Sequence, residues 1–417
     1  MFEEIVRQAW LSLRRQPIRS CLTMTGIVWG IVAVTMLLAY GSGFRRVLMF
    51  TFDSFGHDAI ICWPGTTGEQ AGGERAGQKV RLEQADVDAL RAEATLAKAV
   101  CPETVKFVGL THEERSTSTA VRGVCEQYGE MRNEVPIEGR WLDADDGVNR
   151  RHVVFLGALL KKKLFGGLPA VGETIHIQGA PFTVIGVMDR KFQQSSYFVN
   201  DDQSAWIPYS TAGELWDTKS ASVIVVEPVS PEFDAQVRAQ VLAVLAERQH
   251  FSSTDKRAVV MDSMAQFRPI IMGISYGLEF LLLFVGLLTL GIGGVGVMNI
   301  MLVTVNERIR EIGLRRALGA RRRHIRVQFL TEALAITLAG GAIGVLLSVA
   351  MGSAIGTLPF LGPAYEDTSG RVDIHMQISW EILLASVIVL VVVGILSGFV
   401  PAMRAARLDP VEALRYE

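Results

Sequence analysis

Polar and apolar positions along this chain fall into two regimes. Four stretches, residues 20–44, 280–306, 333–365 and 382–403, contain no Asp, Glu, Lys or Arg, and each is at least 22 residues long. About 20 apolar residues carry a helix across the hydrocarbon core of a bilayer, so all four read as spans. Between the first and second runs the pattern changes to short alternating strands, Gly-rich turns and polar helices. The fold class expected is an α-helical membrane bundle of four transmembrane helices plus a large extracytoplasmic α+β domain between the first and second. The order predicted is an interfacial helix at 1–18, a span at 19–44, the exported domain at 45–270 and a span at 275–306. A basic loop at 307–326, a span at 327–354, a short external loop at 355–379, a span at 380–403 and a tail at 404–417 follow.

Finer periodicities fill in this frame. Phe2, Ile5, Val6, Ala9, Trp10 and Leu13 share one helical face, with Arg7, Arg14 and Arg15 opposite. Such a helix lies in the inner membrane interface, and Pro17 marks the turn into the bilayer. The apolar run behind it is too long for a cleavable signal peptide and no small-residue cleavage site follows. In the exported region a helix is expected at 87–94, strands at 104–109 and 116–124, a long helix at 231–248 and a strand near 257–261. Residues 151–190 read strand, helix, turn, strand, turn, strand, with Gly179 at the turn of a hairpin. The stretch 65–78 reads as a mobile loop. That much chain is ample for an independent domain in two lobes.

Composition agrees with the membrane reading: 49% of the 417 residues are hydrophobic, and the mean hydropathy is +0.30. Charge then gives orientation. Residues 307–326 hold eight arginines against Glu307 and Glu311, and residues 1–19 hold four arginines against two glutamates, whereas the loop near 360–379 has only Arg371 as a base. Short loops rich in Lys and Arg stay in the cytoplasm, so both termini and the 307–326 loop are expected inside. Of the four cysteines, Cys21 falls in the first span and Cys62, Cys101 and Cys125 in the exported region. Three thiols cannot all pair internally; free buried thiols are the reading taken, with Cys101–Cys125 as the alternative disulfide.

Glycines recur at one-turn spacing in the spans: Gly26/Gly30, Gly340/Gly344 with Gly352/Gly356, and Gly394/Gly398, while the second span has Gly291, Gly293, Gly294 and Gly296. Small residues at that spacing let helix backbones approach, pointing to a tight bundle or a dimer seam. Two literal motif matches fail on context. GIGGVG (291–296) fits the dinucleotide fingerprint but lies inside an uncharged span, and GISYG (273–277) fits the nucleophile elbow without a strand before it. The seven histidines show no metal-ligand spacing. No G-x-x-x-x-G-K-[ST] phosphate loop occurs, so these residues do not hydrolyse ATP themselves.

The basic loop remains. Glu307–Arg310 and Glu311–Arg315 are helix-supporting pairs, worth roughly 0.2–0.5 kcal/mol each. Gly319 is a helix stop followed by three arginines at headgroup depth. Ile309, Ile312 and Leu314 would be oddly exposed unless covered, which favours a protein partner over a mere topology marker. The stretch GIGGVGVMNIMLVTVNERIREIGLRRALGARRRHIRVQFLTEA resembles the signature of MacB/FtsX-type ABC transporter permeases. SLRRQPIRSCLTMTGIVWGI, the LFG and VGETIHIQGAPFTVIGV segments and the ending PAMRAARLDPVEALRYE agree with it.

The resemblance implies a dimeric permease, homodimeric or heterodimeric, whose cytoplasmic coupling helix seats in a groove of an ATPase subunit. Glu307, Arg308, Arg310, Glu311, Ile312, Gly313, Leu314, Arg315, Arg316, Leu318 and Gly319 would form that contact, with Gly313 and Gly319 shaping the turn. ATP and Mg would sit on the partner, and no cofactor, metal or catalytic residue is expected on this chain. MacB itself carries a fused ATPase, so a separate ATPase polypeptide is expected here. The family also implies the inner membrane, a periplasmic adaptor and an outer-membrane channel, and no nucleic acid. Three uses stay open: export of a drug, peptide or other amphiphile by mechanotransmission, lipoprotein release, and FtsX-like control of cell-wall hydrolases.

Overall fold

The computed structural model describes residues 17–54, 56, 59–69, 76–193, 196–365, 367 and 369–415. The amphipathic stretch expected at 1–18 lies almost wholly outside them. The chain divides into two compact units, one of residues 1–47 with 272–417 and one of residues 48–271.

The first unit is built on four long helices, Pro17–Asp53, Met264–Glu307, Arg322–Ile355 and Trp380–Arg407, each long and apolar enough to cross a membrane. They contain the four uncharged runs. The first two helices extend well past the expected span ends at 44 and 275, because the flanking residues keep a helical backbone after the hydropathy falls. GISYG and GIGGVG both lie inside the second helix, which confirms that neither is a strand–turn–helix site.

Glycines set how these helices touch. A Cβ on Gly26 would meet Gly293 Cα at 3.3 Å, one on Gly30 would meet Leu290 at 2.8 Å, and one on Gly286 would meet Val34 at 3.0 Å. The first two helices therefore run antiparallel in near backbone contact, as small residues allow where no water drives association. Gly340 and Gly344 seat against Ile27 and Ile31 of the first helix, and Gly294 against Val393 of the fourth. Gly394 and Gly398 seat against Thr337 and Ala333 of the third helix, and Gly352 against Ile378. Gly291 and Gly356 have no neighbour within 4 Å of an added Cβ among the described residues. Gly296 is half-buried. Two buried hydroxyls, Thr35 and Ser386, hydrogen-bond across the bundle at 3.0 Å, and the Ser386 hydroxyl also donates to its own helix backbone.

The second unit contains a ten-stranded sheet. Its strands are β1 (Ile60–Pro64), β3 (Ala97–His112), β4 (Arg115–Val124), β5 (Pro136–Gly139), β6 (Val153–Leu156), β7 (Thr174–Ile177), β8 (Ala180–Met188), β9 (Ala205–Pro208), β11 (Val223–Pro228) and β12 (Val259–Ser263), while β2 (Leu82–Glu83) and β10 (Ser220–Ala221) pair apart from it. One half is an open run β12-β1-β11-β3 covered by the helices Gln84–Glu93 and Asp234–Gln249, whose core holds Ile60, Leu82, Leu90, Ile224 and Val241. In the other half β3, β4, β9, β6, β8 and β7 pair in a ring that closes where β7 returns to β3, with β5 added outside on β8. Closure removes the free edges that otherwise invite aggregation. The barrel's core holds Leu110, Val154, Leu164, Ile175, Phe182 and Ile207.

The strand β3 belongs to both halves: residues 97–103 pair with β11 and residues 104–112 with β4. The expected strand at 104–109 is thus the second half of a 16-residue one. The hairpin turn between β7 and β8 falls at Gln178 and Gly179, both at positive φ (50° and 85°), the geometry that two-residue hairpin loops need. The ends of the expected mobile loop are tied to one another, since Thr67 and Gln78 are hydrogen-bonded and Thr66 bridges Lys79; residues 70–75 lie outside the described set.

Cys101 and Cys125 form a disulfide, which corrects the free-thiol expectation for this pair. The antiparallel register Thr104↔Gly123 carries the end of β4 back alongside residues 101–102, leaving the two Cα atoms 5.7 Å apart. Cys62 is the free buried cysteine among the described residues, and burial, helped by Asp262, pushes its thiol up to about 12. It is inert packing.

Candidate functional site

The basic loop folds as a separate short helix, Ile309–Ala317, joined to the second long helix through Arg308. Arg308 N–H still donates to Thr304 O and Ile312 N–H to Arg308 O, so the backbone bends with few hydrogen bonds lost. Glu311 and Arg315, one turn apart, pair at 2.5 Å on the helix surface. The helix ends on Gly319 at φ 96°, with Ala320 N–H donating to Arg315 O and Gly319 N–H to Arg316 O. That double closure is the Schellman motif, and it needs a left-handed residue at this glycine.

The two faces of this helix differ. Arg310, Leu314 and Leu318 point outward, with Leu314 53% and Leu318 81% exposed. Ile312, only 2% exposed, turns inward to the core built from Val305, Ile325, Phe329, Ala402 and Ala405. Its expected exposure is therefore met by its own chain. Gly313 lies in mid-helix against the C-terminal helix Pro410–Arg415; an added Cβ would stand 2.6 Å from Ala413 Cβ. This corrects its expected part in the turn: Gly313 permits close packing, and Gly319 makes the turn.

Three of the arginines expected to meet a partner are engaged within the chain. Arg316 Nη1 donates to Leu408 O at 2.6 Å and to Ala406 O at 3.2 Å, satisfying carbonyls at the end of the fourth long helix. Arg315 Nη1 donates to Gln328 Oε1 at 2.9 Å, and Arg308 Nη1 reaches Glu332 at 3.3 Å. Glu332 is 4% exposed inside the third helix, where a charge without a counter-ion would be costly. The short helix is thus held from one side by the third helix and from the other by the C-terminal segment, and its other face is left open. Sequence reasoning missed Ala413, Gln328 and Glu332; the spacing of PVEALR was the available signal for the first.

The second unit contains a different concentration of charge that the sequence reading did not detect. Arg122 on β4, Glu103 on β3, Arg132, Glu134, Lys191 and Asp201 are almost completely buried together with Tyr128 and Tyr197. Asp201 accepts from Lys191 Nζ at 2.8 Å, Arg132 Nη2 at 3.1 Å and Gln193 Nε2 at 2.6 Å, and its other oxygen faces Arg122 Nη2 at 3.2 Å. Arg122 also donates to Glu103 at 3.0 Å and to the backbone of Val199 at 2.7 Å. Burial pushes the Asp201 carboxyl up, yet Lys191, Arg132 and Arg122 outweigh it and hold it well below the usual carboxylate range. Burial and then Asp201 push Glu134 up to about 8 against Lys191 and Arg132. These pairs read as a brace that ties Lys191 and Asp201 to β3 and β4. No metal-ligand group occurs among the described residues.

Four membrane-length helices, an exported barrel-containing α+β domain after the first, and a braced basic helix after the second define a multi-pass ABC-type permease. Residues 20–244 match the model of the MacB-like periplasmic core domain and residues 283–410 that of the FtsX-like permease C-terminal domain. The chain belongs to the family of MacB/FtsX-type permeases, and its exported domain is periplasmic. Among relatives, the macrolide export ATP-binding/permease protein MacB of Hahella chejuensis is 33% identical over 100% of this chain, and that of Burkholderia thailandensis 32% over 99%. The chain spans 60% of the length of each. The periplasmic region of MacB from Actinobacillus actinomycetemcomitans superposes with a TM-score of 0.41 at 20% identity, covering 52% of this chain and 94% of that one. The extracellular domain of the transporter YknZ gives 0.41 at 16%, covering 49% and 100%.

Proposed function

We propose that this permease converts ATP-driven closure of a nucleotide-binding partner into movement of its periplasmic domain, and that it serves efflux of an amphiphile such as a macrolide. The observation that carries the reading is the open face of the helix Ile309–Ala317, where Arg310, Leu314 and Leu318 stand exposed on an element braced from behind. Exposed leucines set among fixed charges are poor neighbours for water and suit a protein groove. Arg308, Arg315 and Arg316 then hold the helix in place, and Glu307, Arg310, Glu311, Leu314 and Leu318 make the contact. ATP and Mg belong to the partner. In this reading the termini are cytoplasmic, as the arginine-rich loop favours, and two permease copies face one another.

The test is efflux and substrate-stimulated ATPase activity in proteoliposomes holding the permease and its nucleotide-binding partner. Leu314→Asp with Leu318→Asp should abolish stimulation at least tenfold while leaving the permease folded and monodisperse. Full stimulation in that variant would overturn the contact. Stimulation by a lipoprotein rather than by a macrolide would move the cargo assignment and leave the coupling intact.

A further inference from the structure

The end of the fourth long helix carries a feature that the coupling reading does not use. Phe399, Val400, Met403, Arg404 and Arg407 line an open groove of about 560 Å³ together with Leu408, Asp409 and Glu412. The composition is graded along the chain. Phe399, Val400 and Met403 are apolar and sit in the membrane-length part of the helix, Arg404 and Arg407 come next at its last turn, and Asp409 and Glu412 follow beyond its end. With a rise of about 1.5 Å per residue, this order is also an order of depth, from hydrocarbon to headgroup to water.

Opposite charges this near one another ordinarily pair. Among the described residues the structure shows no ion pair or hydrogen bond from the Arg404 or Arg407 side chains, and Glu412 has none either. Asp409 uses one oxygen to accept from Val411 N–H at 2.8 Å, at the start of the C-terminal helix, and makes no ion pair. Phe399 is 55% and Val400 50% exposed. A groove in a membrane helix with an apolar wall, then two cations, then two anions matches one common molecule in charge and in sequence of groups.

We propose that this groove binds the headgroup of an aminophospholipid, phosphatidylethanolamine. Its acyl chains lie on Phe399, Val400 and Met403, and its phosphate accepts from Arg404 and Arg407, whose guanidinium forks suit phosphate oxygens. Its ammonium, two carbons further out, donates to Asp409 and Glu412. A phosphatidylcholine headgroup has the same charges but no N–H to donate, and phosphatidylglycerol has no cation. The acidic pair therefore selects ethanolamine, and the basic pair retains any phospholipid. The site sits beside the segment that accepts from Arg316 and packs on Gly313, so the bound lipid stabilises the support behind the short basic helix.

The experiment is lipid retention by the full chain, purified in mild detergent and exposed to equal amounts of phosphatidylethanolamine, phosphatidylcholine and phosphatidylglycerol, read by native mass spectrometry. The wild type should keep ethanolamine lipid about tenfold over choline lipid, the size of one hydrogen bond to a charged group. Asp409→Asn with Glu412→Gln should bring that ratio near one and leave phosphatidylglycerol retention unchanged; the asparagine still caps the C-terminal helix. Arg404→Ala with Arg407→Ala should lower retention of all three. Because the readout is a ratio within one folded sample, partial loss of protein does not disturb it. Equal retention of ethanolamine and choline lipids by the wild type, or an unchanged ratio in the acidic double variant, overturns the proposal. So does a groove that excludes all three lipids because a second copy of the chain fills it.

Discussion

Asp201→Asn is the sharpest test of how the periplasmic domain is held together. The substitution keeps the size of the side chain and removes one charge from a site about 1% exposed. Three cations, Lys191, Arg132 and Arg122, then lose their shared carboxylate, and the new amide presents N–H donors to groups that can only donate. Leaving buried charge uncompensated costs about 3–5 kcal/mol. Part of that returns, because removing Asp201 takes away one of the two causes that push Glu134 up, and Glu134 then ionises more readily beside Lys191. A net loss near the lower figure, about 3 kcal/mol, is expected. At roughly 2–4 °C per kcal/mol for a domain of this size, the melting temperature falls by ~6–12 °C.

The assay is thermal unfolding of the full chain in detergent, followed by tryptophan fluorescence, since Trp206 is buried within 6.0 Å of the Arg122 guanidinium. A pH series adds a second signature. The Asp201 carboxyl is depressed in the folded state, so its contribution is complete above the ordinary carboxylate range near 4 and drains away as pH falls below it. The wild type should lose stability across that acid window and the asparagine variant should not show this component. A loss under about 1 kcal/mol with an unchanged acid slope would mean that the cluster is not a brace, and would refute the reasoning.

Two further outcomes follow from neighbouring observations. Glu134, pushed up to about 8, holds its proton in the folded state between the ordinary glutamate range and that value, so it makes stability fall as pH rises through that window. Glu134→Gln should flatten this slope, cost less than about 1 kcal/mol at neutral pH, and leave the domain more stable than wild type above pH 8 in the same melting assay. Gly313→Ala should be destabilising by about 1–3 kcal/mol from overpacking against Ala413, less about 1 kcal/mol of helix propensity, and Ala413→Gly in the same chain should restore it, a coupling that a double-mutant cycle in thermal melts would read.

What the sequence made legible was what local chemistry dictates. Charge-free runs located the four long helices, and the β-branched residues around Gly179 located the hairpin. The first half of β3 was missed because Pro102 and the buried Glu103 sit in it, and both are rare inside a strand. Closure of the barrel depends on β7 meeting β3, a pairing of residues more than 60 positions apart that no local pattern encodes. The same holds for the charge cluster: Arg122 stands among apolar strand residues, but its partners Glu103 and Asp201 come from other elements. In the basic loop the sequence identified the surface and assigned the arginines one role, whereas folding divides them between bracing and exposure. The family resemblance supplied the coupling expectation; it could not say that Ala413 lies under Gly313.

The seam between the first two long helices has a mechanical consequence. Gly30 faces Leu290 and, one turn on, Val34 faces Gly286, so each large side chain on one helix sits in a notch on the other. Sliding one helix past the other by one turn, about 5.4 Å, would set Val34 against Leu290 in one direction, and in the other would leave Gly30 and Gly286 facing each other across a void. The pair is keyed like a ratchet with its pawl down, free to tilt or rotate as one piece but not to shear. A push delivered to the second helix at Glu307 therefore moves the first with it, and the smallest moving part in this bundle is two helices.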